Sequence, residues 1–346
     1  SDSRRREGAM ASEPPARSGG PGLDVPRLSS EGVLVVDKPA GPTSHDVVAV
    51  ARRALHVDRI GHTGTLDPLA TGVLPLVMGR ATRLAALLSG SFKEYTAQIR
   101  FGASTPAFDA TGRIAVDPAT GQARVLVPPP PAPAGLSRES VERALDDFRG
   151  TFSQVPPPFS AKKKDGVHAY TRARRNERVD MRPVEVNVPA LALLCYSPGL
   201  ATVHVTCSPG FYVRSLAHDL GERLGCGAYL EALRRTRAGE FDLTQAAPLD
   251  EIEREGVAAA DRIIPLERLL QAIPAAILTG PGARRASHGC PIRREDVAAD
   301  THPREAGTPG VPRSVERWRL VDGSGMLLGI AERGDGGLLH PVVVLV

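Results

Sequence analysis

The stretch Gly61-His62-Thr63-Gly64-Thr65-Leu66-Asp67-Pro68-Leu69-Ala70-Thr71-Gly72-Val73-Leu74-Pro75 is the most unusual in the 346-residue chain, because small and turn-forming residues surround a single carboxylate. A loop of this composition must hold a demanding shape. Its three glycines can take positive φ, and Pro68 forces Asp67 out of the helical region, so the carboxylate is presented from a stiff, extended backbone. Read by itself, an Asp-Pro pair is a turn or a helix cap. His62 with Asp67 could begin a metal site, yet no third and fourth ligands lie nearby in sequence. The chain has no Gly-x-Ser-x-Gly elbow and no Walker-type or dinucleotide glycine loop, so hydrolytic triads, phosphoryl transfer and nicotinamide chemistry lose their usual support.

The elements that must position this loop can be placed from pattern. An apolar strand over 33–36 is stopped by Asp37-Lys38-Pro39-Ala40-Gly41-Pro42, and Thr43-Ser44 can cap a helix over 45–55. A strand over 73–77 leads into a helix over 81–88 that is expected to close on Gly90 in the left-handed conformation. A strand over 95–101 follows. The run Pro128-Pro129-Pro130-Pro131 lacks backbone donors, so 117–135 reads as a surface insertion. A helix over 137–148 resumes the fold. Alternation of Val203, Val205 and Cys207 with Thr202, His204 and Thr206 predicts a strand, and Val213, Leu216, Ala217, Leu220 and Leu224 recur at helical spacing. Strands and helices intermixed in this way indicate one α+β domain with a mixed sheet over 31–268. Short strands over 318–321, 327–331 and 341–346, with glycine turns between them, indicate a small all-β module over 274–346. Residues 1–30 show no apolar period and read as a disordered tail.

Composition narrows the function classes. Hydrophobic residues are 42% and charged residues 24%, which excludes a wholly disordered or collagen-like chain. A net charge of +4 permits an anionic partner without demanding one. The four cysteines, Cys195, Cys207, Cys226 and Cys290, have no paired spacing, so neither a zinc knuckle nor a disulfide framework is indicated. No apolar run is long enough to cross a bilayer, and the expectation is a soluble, cytoplasmic protein without a membrane role.

An ordered series of motifs resembles the TruB family, the bacterial tRNA pseudouridine-55 synthases. It runs from Gly32–Asp37-Lys38-Pro39 and Gly41-Pro42-Thr43-Ser44 through the Gly61–Pro75 loop to Lys93-Glu94-Tyr95. It continues with Pro157-Pro158-Phe159-Ser160-Ala161, Lys163, Gly166, Tyr170 and Ala173-Arg174, then Cys207-Ser208, Gly210, Tyr212 and Arg214-Ser215-Leu216. Asp219-Leu220-Gly221 and Leu233-Arg234-Arg235-Thr236 close it. The resemblance covers 31–346, with the C-terminal part similar to the family's RNA-binding PUA domain. The departures are the tail, the proline-rich insertion and Thr105-Pro106-Ala107-Phe108-Asp109, where the family more often has Thr-Asp-Thr before the aspartate.

The resemblance implies a stand-alone, monomeric pseudouridine synthase that acts on the T-arm stem-loop of tRNA with no cofactor and no metal. It makes Asp67 the nucleophile, and a carboxylate can indeed form a transient ester or adduct that holds one fragment while the other turns. A nucleophile must be ionised, and a nearby cation lowers a carboxyl pKa. Arg214 is the implied partner, with a fork suited to a carboxylate. Tyr95 is expected to lie against the target base and to accept or relay a proton, Tyr212 and Leu233 to wall the pocket, and His62 to enter the space the base vacates, with a general-base role as its alternative. The hypothesis from another class, an RNA binder or folding chaperone without chemistry, is disfavoured by intact Asp67, Tyr95 and Arg214.

Aromatic residues are only 4% of the chain, so RNA must be held by shape and phosphate contacts rather than a stacking platform. Lys162, Lys163, Lys164, Arg172, Arg174 and Arg175 against Asp165 form the strongest local excess of positive charge and are assigned to the tRNA backbone. Neutralising this cluster is expected to weaken RNA binding and flatten its dependence on salt, measured as the slope of log affinity against log salt concentration. An unchanged affinity and slope would remove the assignment.

Overall fold

The computed structural model describes residues 31–111, 114–116, 123–125, 129–158, 163–164, 167–168, 182–298 and 317–346. Its centre is a ten-stranded mixed sheet. The main strands are β1 (Gly32–Lys38), β2 (Ile60–His62), β3 (Thr71–Met78), β4 (Lys93–Phe101), β5 (Ala190–Ser197), β6 (Leu200–Cys207), β7 (Ala228–Ala238) and β8 (Ala247–Pro248). Their spatial order is β5-β6-β4-β7-β3-β1-β8, with β2 on the side against β3. Neighbours are antiparallel except β7 with β3 and β1 with β8, which are parallel.

Both faces of the central strands are buried, which explains the unbroken apolar run at the start of β1. Leu34 and Val36 point to one core with Val47, Val48, Ala51 and Leu55 of helix α1 (Ser44–Leu55). Val141, Ala144 and Leu145 of α2 (Arg138–Leu145) and Val213, Leu216, Ala217 and Leu220 of α3 (Val213–Arg223) complete that core. Helix α1 opens where expected: Thr43 is the cap residue, and it and Asp46 bond reciprocally in a capping box.

Val33 and Val35 face the opposite core, together with Val73, Val77, Leu84 and Leu88. That second core is closed by Val321, Leu327 and Ile330 from a four-stranded C-terminal sheet and by Leu345 just beyond its last strand. Its strands, β9 (Ala275–Ile277), β10 (Arg317–Val321), β11 (Leu327–Arg333) and β12 (Leu339–Val344), lie in chain order. Among the described residues the C-terminal sheet also carries an α-helix, α4 (Gly280–Ser287), which the glycine-punctuated sequence pattern did not suggest. Arg80 and Arg83 tie the two sheets further by donating to the carbonyls of Leu345 and Val344 at 3.3 and 2.6 Å.

Three local expectations are corrected. The helix anticipated over 81–88 is a 3-10 turn, Gly79–Leu84, followed by a short α-helix, Ala85–Ser89. Ala81 and Leu84, three residues apart, are both buried, and the tighter turn brings them to one side. Gly90 is right-handed at φ −73°, not left-handed. The Lys93 ammonium makes a left-handed cap unnecessary by donating to the carbonyls of Ser89 and Ser91. The proline-rich insertion is also less detached than expected. Ala123–Val125 pairs with Ile114–Val116, and Pro130 is buried, with Pro130 and Pro131 packed so closely on Gly102 that a Cβ there would meet the Pro131 carbonyl at 2.8 Å. The tail 1–30 and parts of 117–135 lie outside the described residues.

Because Ile330 of the C-terminal sheet sits fully buried in a core shared with β1 and β3, truncating it must weaken the whole molecule. Ile330→Ala is expected to cost about 2–5 kcal/mol in urea unfolding, in one transition seen equally by probes in both sheets. Loss confined to the C-terminal sheet, with the central sheet unfolding unchanged, would contradict the shared core.

Candidate active site

The loop from β2 to β3 is held from several sides. The Ser44 hydroxyl at the start of α1 donates to the Leu66 carbonyl at 3.2 Å and accepts from the Leu66 amide at 2.9 Å. Lys38, at the end of β1 and wholly buried, sends its ammonium to the carbonyls of Ala70 at 2.7 Å and Pro39 at 2.9 Å, with Pro68 at 3.4 Å. Gly41 N–H donates to the Pro68 carbonyl at 2.8 Å. Arg235 of β7, 1% exposed, donates through Nε to Val73 at 2.7 Å and through Nη2 to Gly64 at 3.0 Å. Gly72 is required by that strand pairing, since at φ +100° a Cβ would lie 2.1 Å from the Arg235 carbonyl oxygen.

Asp67 stands on the wall of a cleft of about 290 Å³ that Tyr95, Lys93, Cys207, Tyr212, Arg214, Leu233 and Arg235 also line. Arg214, in the first turn of α3, places Nε 2.9 Å from Asp67 Oδ2 and donates from Nη2 to Oδ1 at 3.3 Å. The arginine side chain is 6% exposed and the aspartate 37%, so the cation is sequestered while the carboxylate remains reachable from the cleft. Asp109 is a second buried carboxylate on the same guanidinium, 3.8 Å from Nε. Arg214 Nη1 donates to the Ala107 carbonyl at 3.2 Å.

The Arg214 cation lowers the Asp67 pKa as expected, but it is not the largest influence. Burial raises it, Arg214 pulls it down and Asp109 pushes it up; the net displacement is upward. Arg214 therefore offsets only part of the cost of burying the charge. Tyr95, on β4 opposite Arg235 of β7, is also raised by burial, with the guanidinium of Arg235 opposing, so its phenol is protonated at neutral pH. Burial lowers Lys38 and Lys93 to about 8 each and pushes the Cys207 thiol up to about 12.

The structure brings Asp67, Arg214, Tyr95, Tyr212 and Leu233 to one cleft. Tyr212 is set by Gln154, 2% exposed, whose amide accepts from the Tyr212 N–H at 2.8 Å and donates to its carbonyl at 3.1 Å. His62 is not part of the lining. It lies at the root of the loop, accepts from the Gly64 N–H at 3.4 Å, meets His45 edge-on at 5.4 Å, and burial lowers its pKa. The side chains of Lys163 and Arg174, like those of Lys162, Lys164, Asp165, Arg172 and Arg175, lie outside the described residues.

Comparison with known proteins gives the family. The model of the TruB family pseudouridylate synthase N-terminal domain matches residues 52–213, and that of the tRNA pseudouridylate synthase B C-terminal domain matches 214–274. The tRNA pseudouridine synthase B of Solibacter usitatus is 41% identical over 319 residues, covering 91% of this chain and all of that protein. That of Geobacter sulfurreducens is 41% identical over 295 residues, covering 85% of this chain and 91% of that protein. The chain belongs to the TruB family. Among solved structures, a Cbf5-Nop10-Gar1 complex contains a chain with the same fold at TM-score 0.66 and 22% identity, covering 92% of this chain and 85% of that one. The mixed-sheet α+β fold class of the TruB-type synthases is thus the one observed.

Lys38, Ser44, Lys93, Asp109, Gln154 and Arg235 all support or line this TruB-family cleft, and the sequence pattern assigns none of them to it, Ser44 being read only as part of a helix cap. Five of the six stood inside or beside the quoted motifs; Gln154 carried no signal at all. A lone polar residue shows its burial only once the strands around it are known. Removing the negative charge of Asp109 removes one of the influences that raise Asp67. Asp109→Asn is therefore expected to move the acidic limb of the kcat/KM profile to lower pH. A limb that stays in place or moves up would contradict the charge coupling between the two carboxylates.

Proposed function

We propose that this tRNA pseudouridine synthase isomerises uridine 55 in the T-loop, with Asp67 as nucleophile on a base turned out of its stack. The observation that carries the reading is the Asp67 carboxylate, held against a sequestered Arg214 and open to a cleft lined by Tyr95, Tyr212 and Leu233.

The reaction breaks the bond between uracil N1 and ribose C1′ and forms one between C5 and C1′; a proton leaves C5 and one is gained at N1. It is redox-neutral and hydrolyses nothing, so its chemistry calls for neither cofactor nor metal. Ionised Asp67 forms the transient covalent bond that keeps the fragments together while the ring turns. Arg214 favours the ionised form that attack needs and keeps the carboxylate aimed. Extruding the uridine costs a few kcal/mol, which contacts within the cleft offset. Tyr95, protonated at neutral pH, lies against the base as a hydrogen-bond donor, and Tyr212 and Leu233 wall the pocket. His62 enters the gap the base leaves, at the root of the same loop.

The catalytic unit is assigned to 31–268 and an RNA-binding PUA module to 274–346. The cluster containing Lys163 and Arg174 is assigned to the tRNA backbone. The protein is proposed to act in the cytoplasm as a monomer. Among the described residues no helix is long and apolar enough to cross a membrane.

Wild type and Asp67→Asn, incubated with a T-arm stem-loop and digested to nucleosides, test the reading. Wild type is expected to yield pseudouridine at one uridine, and the variant none while still binding the RNA. Absence of product from wild type would overturn the substrate; product from the variant would overturn the role of Asp67.

A further inference from the structure

The segment Thr105–Asp109, where the sequence departs from the family's usual pattern, contains a contact that the proposed chemistry does not use. Phe108 has φ +61°, in the left-handed region that non-glycine residues seldom occupy. Its ring lies flat on the imidazole of His218, with centroids 3.8 Å apart and planes 5° from parallel. His218 is four residues beyond Arg214 on α3, one helical turn along the same face. Its Nδ1 is buried and meets no hydrogen-bond partner, so the ring is not placed there by a polar contact at that atom.

The residues on either side of Phe108 both touch Arg214. The Ala107 carbonyl accepts from Nη1 at 3.2 Å, and the Asp109 carboxylate lies 3.8 Å from Nε. Backbone bonds from Leu230 N–H to the Phe108 carbonyl and from Ala110 N–H to the Leu230 carbonyl, both 2.9 Å, lash the turn to β7. The Thr105 hydroxyl donates to the Asp109 carbonyl at 2.8 Å, and Asp109 Oδ1 accepts from the Thr111 amide at 2.9 Å. Helix α3 thus grips this turn at two points: Arg214 holds residues 107 and 109, and His218 holds the ring between them.

We propose that the stack of Phe108 on His218 is a positioning device, which keeps the Ala107 carbonyl and the Asp109 carboxylate in register with Arg214 and so fixes the guanidinium that aims Asp67. Phe108 and His218 touch no substrate and act only through Arg214. The strained backbone of Phe108 fits this role: a turn that paid for left-handed φ must be compensated locally, and the flat stack supplies the compensation. The inference rests on the roles given above to Asp67 and Arg214.

The test compares His218→Phe, which keeps a flat ring, with His218→Leu, which has comparable bulk and cannot stack. Phe108→Leu removes the stack from the other side, and Asp67→Asn is assayed in parallel. Steady-state kinetics on the T-arm stem-loop should show kcat reduced about tenfold or more in His218→Leu and Phe108→Leu, KM changed less than about twofold, and His218→Phe within about threefold of wild type. The double variant Phe108→Leu/His218→Leu should lose no more than either single variant, because the two residues act as one unit. Circular dichroism melting confirms that each variant is folded. Equal losses in His218→Phe and His218→Leu, losses confined to KM, or multiplying losses in the double variant would overturn the proposal. An active Asp67→Asn would instead overturn the underlying role of Asp67, so the two failures are distinguishable.

Discussion

The Asp67–Arg214 pair is the interaction on which the rest of the structure depends. A carboxylate taken out of water resists ionisation, and a guanidinium at 2.9 Å offsets part of that cost. A half-buried pair of this kind is a poor source of stability, because desolvation consumes most of the Coulombic gain. Such a pair is retained for what the charge can do. The exposure is asymmetric in the useful sense: the arginine is closed off, and the aspartate opens on the cleft.

Holding the pair is a task spread across distant parts of the chain. Asp67 comes from the loop between β2 and β3, Arg214 from α3, Tyr95 from β4 and Leu233 from β7. The parallel junction of β7 with β3 sets Arg235 beside Gly72, and from there its guanidinium reaches Gly64 on the same loop as Asp67. Lys38 and Ser44 fasten the other side of that loop. With one fully buried arginine and one fully buried lysine bonded to its carbonyls, the loop presents its carboxylate without relying on apolar packing alone. The C-terminal sheet seals the opposite face of β1 and β3, so the strands flanking the loop are clamped between two cores.

Much of this was readable from residue pattern where burial is periodic. The strands at 33–36, 73–77, 95–101 and 202–207 and the helices at 45–55 and 213–224 all formed, each with boundaries moved by a few residues. Strand β7 escaped notice because Glu231, Arg234, Arg235 and Arg237 break its apolar alternation, although the backbone there pairs on both sides. Strand β5 escaped because its register shifts between Leu193 and Cys195. At the site, Asp67, Tyr95, Tyr212, Arg214 and Leu233 converge on one cleft, and His62 lies outside its lining, at the end of β2. The lowering influence of Arg214 on Asp67 is as expected from the pair, but burial outweighs it. Spacing in a sequence reveals a charge partner, but it carries neither the depth of burial nor the second carboxylate, Asp109, on the same cation.

The central claim is that Arg214 holds a buried Asp67 in its reactive, ionised form against desolvation. Carbon-13 NMR of the labelled Asp67 carboxyl, titrated in the intact protein with and without Arg214→Gln, addresses it most directly. The account predicts a titration above the ordinary aspartate range in the wild-type protein and a further rise when the guanidinium is lost. A wild-type value at or below that range, or a value unchanged or lowered by Arg214→Gln, would contradict it.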